Sequence, residues 1–178
     1  MKTWTALFSQ TGSEIYEVSE QLNRYPDMIL CNKQDDLGSI NTNLLGKAPM
    51  IFTDLKPTAE QYLHYIPEDS LVTMHGWLRI VPGEVCDKRT IYNGHPGNII
   101  DRPELKGFNP QEKAWKAGHD WGGCVIHEAV AEVDAGEVEV LGVERIKDLT
   151  LDQTYSILHD LSVSLWVKFL RNKFNECN

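Results

Sequence analysis

Through its first half the chain alternates short apolar runs with amphipathic stretches. The runs at 3–9 (TWTALFS), 27–31 (DMILC), 50–54 (MIFTD), 70–77 (SLVTMHGW) and 89–95 (RTIYNGH) have the length and flanking turn residues of strands. Between them, 12–25 (GSEIYEVSEQLNRY) starts at a Gly-Ser turn and 58–66 (TAEQYLHYI) is entered through Pro57; both predict helices, and a short one falls near 82–87. This βα rhythm predicts a parallel, doubly wound α/β sheet of Rossmann-like type. The pattern then changes. Segments 124–133 (CVIHEAVAEV) and 137–146 (EVEVLGVERI) flank a loop at Asp134–Gly136 and predict an antiparallel pair. From Leu151 to Lys173, the positions of Tyr155, Leu158, Leu165, Trp166, Phe169 and Leu170 predict one long amphipathic helix closing the sheet. No repeat, low-complexity tract or Pro/Gly-rich linker interrupts residues 1–178, so a single domain is expected.

Composition narrows the classes. With 42% hydrophobic and 24% charged residues, a chain of 178 has enough apolar material for a substantial core. No apolar run reaches the length of a membrane span, and the opening MKTWTALFSQTG lacks the apolar centre and cleavage site of a signal peptide. Cys31, Cys86, Cys124 and Cys177 form no C-x-x-C pair and read as reduced thiols of a cytoplasmic protein, not a metal site or a disulfide framework. His64, His75, His119 and His159 have no metal-ligand spacing and read as structural or exposed, so no metal is expected. A net charge of −9 without any basic run argues against nucleic acid as a partner. Trp77, Trp115, Trp121 and Trp166 accordingly read as core or pocket wall, not as a stacking platform for bases. A small ligand remains compatible; the oligomeric state is open.

Three stretches carry candidate chemistry. In YNGHPG, Asn93 and His95 stand at i and i+2 of a strand, so both project to one face, and Pro96 stops the strand just beyond them. Ligands of open parallel sheets sit outside the carboxyl ends of strands. There an amide N–H and a protonated imidazole would polarise a carbonyl and stabilise an oxyanion; the alternative is a polar strand end followed by a turn. Asp134, at a hairpin tip before Ala135 and Gly136, is either a turn residue or a carboxylate aimed at His95. In the second case it would raise the imidazole's pKa and take a proton from an attacking amine, directly or through water. The junction SQTGSEI offers the N-terminus of a helix at Gly12 and Ser13, either as an anion site or as a plain helix start; Glu14 in the first turn would compete with a bound phosphate.

In this order, TGSEI, LCNKQDDLG, HGWLRIVP, NGHPG, GCVIHEAVAEVDAGEV and the closing helix resemble the folate-dependent formyltransferases, among them those acting on glycinamide ribonucleotide in purine synthesis. The most specific part is Asn-x-His-Pro followed by Val-x-His and, seven residues after that His, Asp-x-Gly: Asn93, His95, His127 and Asp134. The resemblance implies that Asn93, His95 and Asp134 are catalytic, with His127 as support. It implies a folate site at Trp77, Leu78, Arg79, Ile80 and Val81 together with Val130, Ala131, Glu132 and Val133. It places the acceptor and its phosphate at Gly12, Ser13, Glu14, Gly107 and Asp160. Glu14 stands where the family has Asn, Gly97 where it has Ser, and Ala135 where it has Gly, so the acceptor half departs further than the donor half.

The expected activity is formyl transfer from 10-formyltetrahydrofolate, as a substrate, to a primary amine of a small, phosphorylated or nucleotide-linked acceptor. A hydrolase acting on the same donor and a silent folate- or nucleotide-binding module are the alternatives. A formyltransferase acting on tRNA is disfavoured by the acidic balance and by the chain's stopping after the closing helix.

Overall fold

The structure is a computed structural model and describes residues 2–176; Cys177 lies outside the described residues. In chain order the elements are β1 (Trp4–Phe8), α1 (Ser13–Leu22), β2 (Met28–Cys31), β3 (Met50–Phe52), α2 (Ala59–Tyr65), β4 (Leu71–Met74), α3 (Gly83–Cys86), β5 (Ile91–His95), α4 (Pro110–Lys116), β6 (Trp121–Glu128), β7 (Val138–Arg145) and α5 (Leu151–Asn175). Single 3-10 turns occupy Leu37–Ser39 and Pro103–Leu105.

The strands form one sheet in the order β3-β2-β1-β4-β5-β6-β7. β1 to β5 run parallel, and β6 is antiparallel to β7, as the change of pattern predicts, and also to β5. Helices cover both faces of the parallel part, so β1 is buried along its whole length and is apolar except for Thr5. On one face, α1 and α5 pack on Trp4, Phe8 and Tyr92 through Ile15, Val18, Trp166 and Phe169. On the other, Leu7, Val72 and Ile91 meet Tyr62 and Val85 of α2 and α3.

Gly94 lies within β5 on the α5 face, where a Cβ would stand 2.6 Å from Trp166 Nε1. Its missing side chain lets the Trp166 ring lie directly on the strand that carries Asn93 and His95. α5 begins with a capping box: the Gln153 amide N–H donates to Thr150 Oγ1 (3.2 Å) and the Thr150 amide N–H donates to Gln153 Oε1 (2.9 Å). Thr150→Ala should cost about 1 kcal/mol of stability, read by urea denaturation.

Three sequence expectations shift. The strand expected over 124–133 occupies Trp121–Glu128, and 129–137 form the loop that follows. α4 has no counterpart in the expected elements. Trp121 is 59% exposed at the start of β6, and Trp115 is exposed on α4 with its indole N–H donating to the Leu149 carbonyl (2.8 Å); neither is core or cavity wall. No helix among the described residues is long and apolar enough to cross a membrane.

Candidate active site

β5 alternates as its sequence requires. Ile91 packs towards α2 and α3 and Tyr92 towards α5, so Asn93 and His95 share the side of Ile91 at the carboxyl end of the strand. Antiparallel pairing sets Asn93 opposite His127 of β6, which brings two residues 34 positions apart into contact. The loop after β6 then curls back over the strand ends, with Asp134 in the left-handed region (φ 51°), a conformation that Asp tolerates better than most residues.

The hydrogen bonds fix which atoms are free to react. His95 Nε2 lies 2.8 Å from the Leu105 carbonyl, which can only accept, so Nε2 carries a hydrogen. Nδ1 is left facing Asp134 Oδ2 at 3.4 Å. His127 repeats the arrangement in mirror order: Nδ1–H donates to the Glu128 carbonyl (2.8 Å), and Nε2 faces both Asn93 Nδ2 (3.2 Å) and Asp134 Oδ1 (3.3 Å). With its Nδ1 hydrogen on the Glu128 carbonyl, His127 accepts from the Asn93 amide at Nε2 when neutral and donates from Nε2 to Asp134 Oδ1 when protonated. The Asp134 carboxylate thus stands between two imidazoles, and its Oδ2 also accepts the Gly107 N–H (2.8 Å).

Burial alone would raise the Asp134 pKa. The hydrogen bonds from His127 and Gly107 and the nearby imidazoles outweigh it, so the carboxyl titrates below its ordinary value. For His95 the balance goes the other way and corrects the sequence expectation. Asp134 does pull the imidazole's pKa upward, but burial acts more strongly and leaves it below the ordinary value. Protonated Nδ1 is therefore the minor form at neutral pH, and it is the form that can donate to a developing oxyanion. Gly97 is matched to this ring: a Cβ there would stand 3.0 Å from His95 Nε2 and 2.8 Å from the Pro110 Cβ. The Ser expected at this position from the resemblance would press on both.

These groups line a cavity of about 620 Å³. One wall lies on the α2/α3 side of the sheet end, from Leu78 to Val81 and the loop residues Val130, Glu132 and Val133. Leu78, Ile80, Val130 and Val133 are exposed apolar side chains there. Trp77 and Val81 also reach the cavity, although both are buried in the core and the Trp77 indole N–H donates to Tyr62 Oη (2.9 Å). Arg79 lines this wall with its guanidinium donating to the carbonyls of Leu55 (2.6 Å) and Leu78 (2.9 Å). Ala131 does not line the cavity; its methyl lies over Gly83.

The opposite wall belongs to the α1/α5 side. Gly12, Ser13 and Glu14 are there, Gly107 stands beside Asp134, and Tyr155, Leu158, His159 and Ser162 of α5 complete it. Asp160 is not among the lining residues. On a helix, 155, 158, 159 and 162 share a face, while 160 turns about 100° past 159 and is exposed. Sequence reasoning missed His75 and the four α5 members of this wall, His75 and His159 having been read as structural or exposed. His75 Nδ1 lies 2.8 Å from Glu14 Oε2, the Ser162 hydroxyl donates to Glu14 Oε1, and Tyr155 stands at the rim. For His75 a signal was available: it extends β4 on the Thr73 side, by the same two-residue alternation that pairs Asn93 with His95. Among the described residues, no group of three His, Cys, Asp or Glu is arranged to hold a metal ion.

The formyl transferase family profile matches residues 55–170. No curated protein sequence matches the chain. Among solved structures, phosphoribosylglycinamide formyltransferase from Streptococcus pneumoniae superposes with a TM-score of 0.80 at 22% identity, covering 98% of this chain and 99% of that one. The enzyme of the same name from Campylobacter jejuni gives 0.81 at 20% identity, covering 98% of each chain. A formyltetrahydrofolate deformylase from Pseudomonas syringae gives 0.78 at 17% identity, covering 99% of this chain and 62% of that one. These likenesses establish the fold.

Proposed function

The chain belongs to the formyl transferase family, and on that premise we propose that it moves a formyl group from 10-formyltetrahydrofolate to a primary amine of a small acceptor, glycinamide ribonucleotide or a related amine. The observation that carries this reading is the ionised Asp134 set between His95 Nδ1 and His127 Nε2, beside the Asn93 amide, at the mouth of β5. Donor and acceptor would enter from opposite walls. The apolar side chains of Leu78, Ile80, Val130 and Val133 suit a flat heterocycle, and the polar wall beyond Asp134 suits the amine.

In this mechanism the amine nitrogen attacks the formyl carbon and the carbonyl π pair moves to oxygen. The Asn93 amide and the protonated Nδ1 of His95 hold that oxyanion. Asp134 accepts the proton that the attacking nitrogen must lose. Collapse breaks the bond between the formyl carbon and the folate nitrogen, which takes up the proton as it leaves. His127 moves no substrate atom; it holds the Asn93 amide in place.

The same groups would serve water as the nucleophile, so the deciding assay follows loss of 10-formyltetrahydrofolate with and without a panel of amines. Formyl transfer predicts consumption that depends on the amine and yields one N-formyl product per folate consumed. Release of formate at the same rate without amine would make the protein a hydrolase. Bound folate without turnover on any amine would make it a binding module.

A further inference from the structure

Resting on the formyl-transfer reading of the site, we propose that the acceptor bound at the α1/α5 wall ends there in an unphosphorylated, hydrogen-bond-donating group, hydroxyls or a second ammonium, and that Glu14 is the residue that selects it. A helix N-terminus normally attracts anions because its first amides are free and its dipole is positive there. In α1 the first of those amides is already used within the chain. The Ser13 N–H donates to Thr11 Oγ1 (3.2 Å), and Ser13 Oγ accepts from the Thr11 hydroxyl (2.9 Å) and the Asn41 amide (3.2 Å). In the first turn stands the chain's own carboxylate.

Glu14 is held in place. His75 Nδ1 lies 2.8 Å from Oε2, and the Ser162 hydroxyl donates to Oε1. His75 is itself fixed by Thr73 Oγ1 (2.9 Å from Nε2), which also receives the Trp4 indole N–H (2.8 Å). The imidazole lies against Trp166, with ring centres 4.5 Å apart. Burial acts to raise the Glu14 pKa, but His75 and Ser162 prevail and keep the carboxylate ionised. Each of its oxygens has one protein donor, so acceptor capacity remains for a ligand that donates.

No described Lys or Arg beside Glu14 offsets this charge for an incoming anion; of the two imidazoles on this wall, His75 is bonded to Glu14 itself and His159 Nε2 lies 2.8 Å from Glu17 Oε2. Among the described residues lining the cavity, Arg79 is the only Lys or Arg; it stands on the other wall and donates to the Leu55 and Leu78 carbonyls. A phosphate monoester, nearly doubly charged at neutral pH, would meet a fixed like charge in a partly desolvated pocket. A hydroxyl or ammonium would meet an acceptor already in position.

The test uses the whole chain, labelled with nitrogen-15, titrated separately with ribose, 1,4-diaminobutane and ribose 5-phosphate and read at the amides of Gly12, Ser13 and Glu14. Ribose or the diamine should saturate these amides at a concentration at least ~10-fold below ribose 5-phosphate, and which of the two does so separates hydroxyl from ammonium recognition. Glu14→Gln, which keeps the shape and the Ser162 contact, should tighten ribose 5-phosphate by at least ~10-fold. Wild-type protein taking ribose 5-phosphate as readily as ribose and the diamine, or showing no saturable shift with either uncharged or cationic probe, overturns the proposal, and this ranking stands whether or not the variant folds. An unchanged order in a folded variant overturns the role of Glu14. A parallel titration with 10-formyltetrahydrofolate, read at residues 130–133, tests the formyl-transfer reading alone, since its failure leaves the ranking at α1 untouched.

Discussion

Asp134→Asn should lower turnover by about 10³-fold while leaving folate affinity and melting temperature close to wild type. The substitution is nearly isosteric, and its amide oxygen can still accept the Gly107 N–H that holds the loop at 2.8 Å. What disappears is the ability to take a proton from the attacking nitrogen. A second effect follows from His95, whose pKa is lowered by burial and only partly restored by the Asp134 charge. Without that charge the imidazole titrates lower still, so the limb of the pH–rate profile that falls as Nδ1 loses its proton must move towards acid. Residual activity should therefore improve on acidification more than wild type does. Near-normal turnover at neutral pH would remove Asp134 from the mechanism.

His95→Ala should cost turnover about 10²- to 10³-fold, the loss seen when one oxyanion donor is removed. The substitution also leaves the Leu105 carbonyl without its partner, so a structural explanation must be separated from a chemical one. His95→Gln does this, because its side-chain amide can donate to that carbonyl but carries no titratable proton. Both variants should be comparably inactive, and both should bind 10-formyltetrahydrofolate. If Gln restores activity, His95 serves to hold the Pro103–Leu105 turn and does not act on the formyl oxygen.

The parts of this molecule that were legible in the sequence are those set by neighbours along the chain. β5 could be read because two-residue alternation and Pro96 place Asn93 and His95 together at a strand end, and α5 because its apolar spacing persists over many turns. α4 was missed because it spans only two turns and buries little beyond Pro110 and Ala114, leaving no apolar stripe; Pro110 at its first position was the available cue. The direction of the His95 shift was not legible either. It depends on how deeply the ring is buried relative to one carboxylate, and only the assembled loop fixes that. The Glu14 cluster joins residues 61 and 148 positions apart, for which no local spacing rule exists. Asp160 failed for a related reason: a helix position carried over by resemblance in a diverged segment can miss the pocket by a single residue, and one residue is about 100°.

The two cavity walls stand on opposite faces of the sheet, and only the strand ends join them. The family profile begins at residue 55 and so takes in the loop walls, the imidazole–carboxylate network and α5, but not the α1 turn that carries Glu14. In such a layout a lineage can exchange the amine it works on by editing one helix start and the α5 positions facing it, while the machinery that handles the one-carbon unit is inherited unaltered.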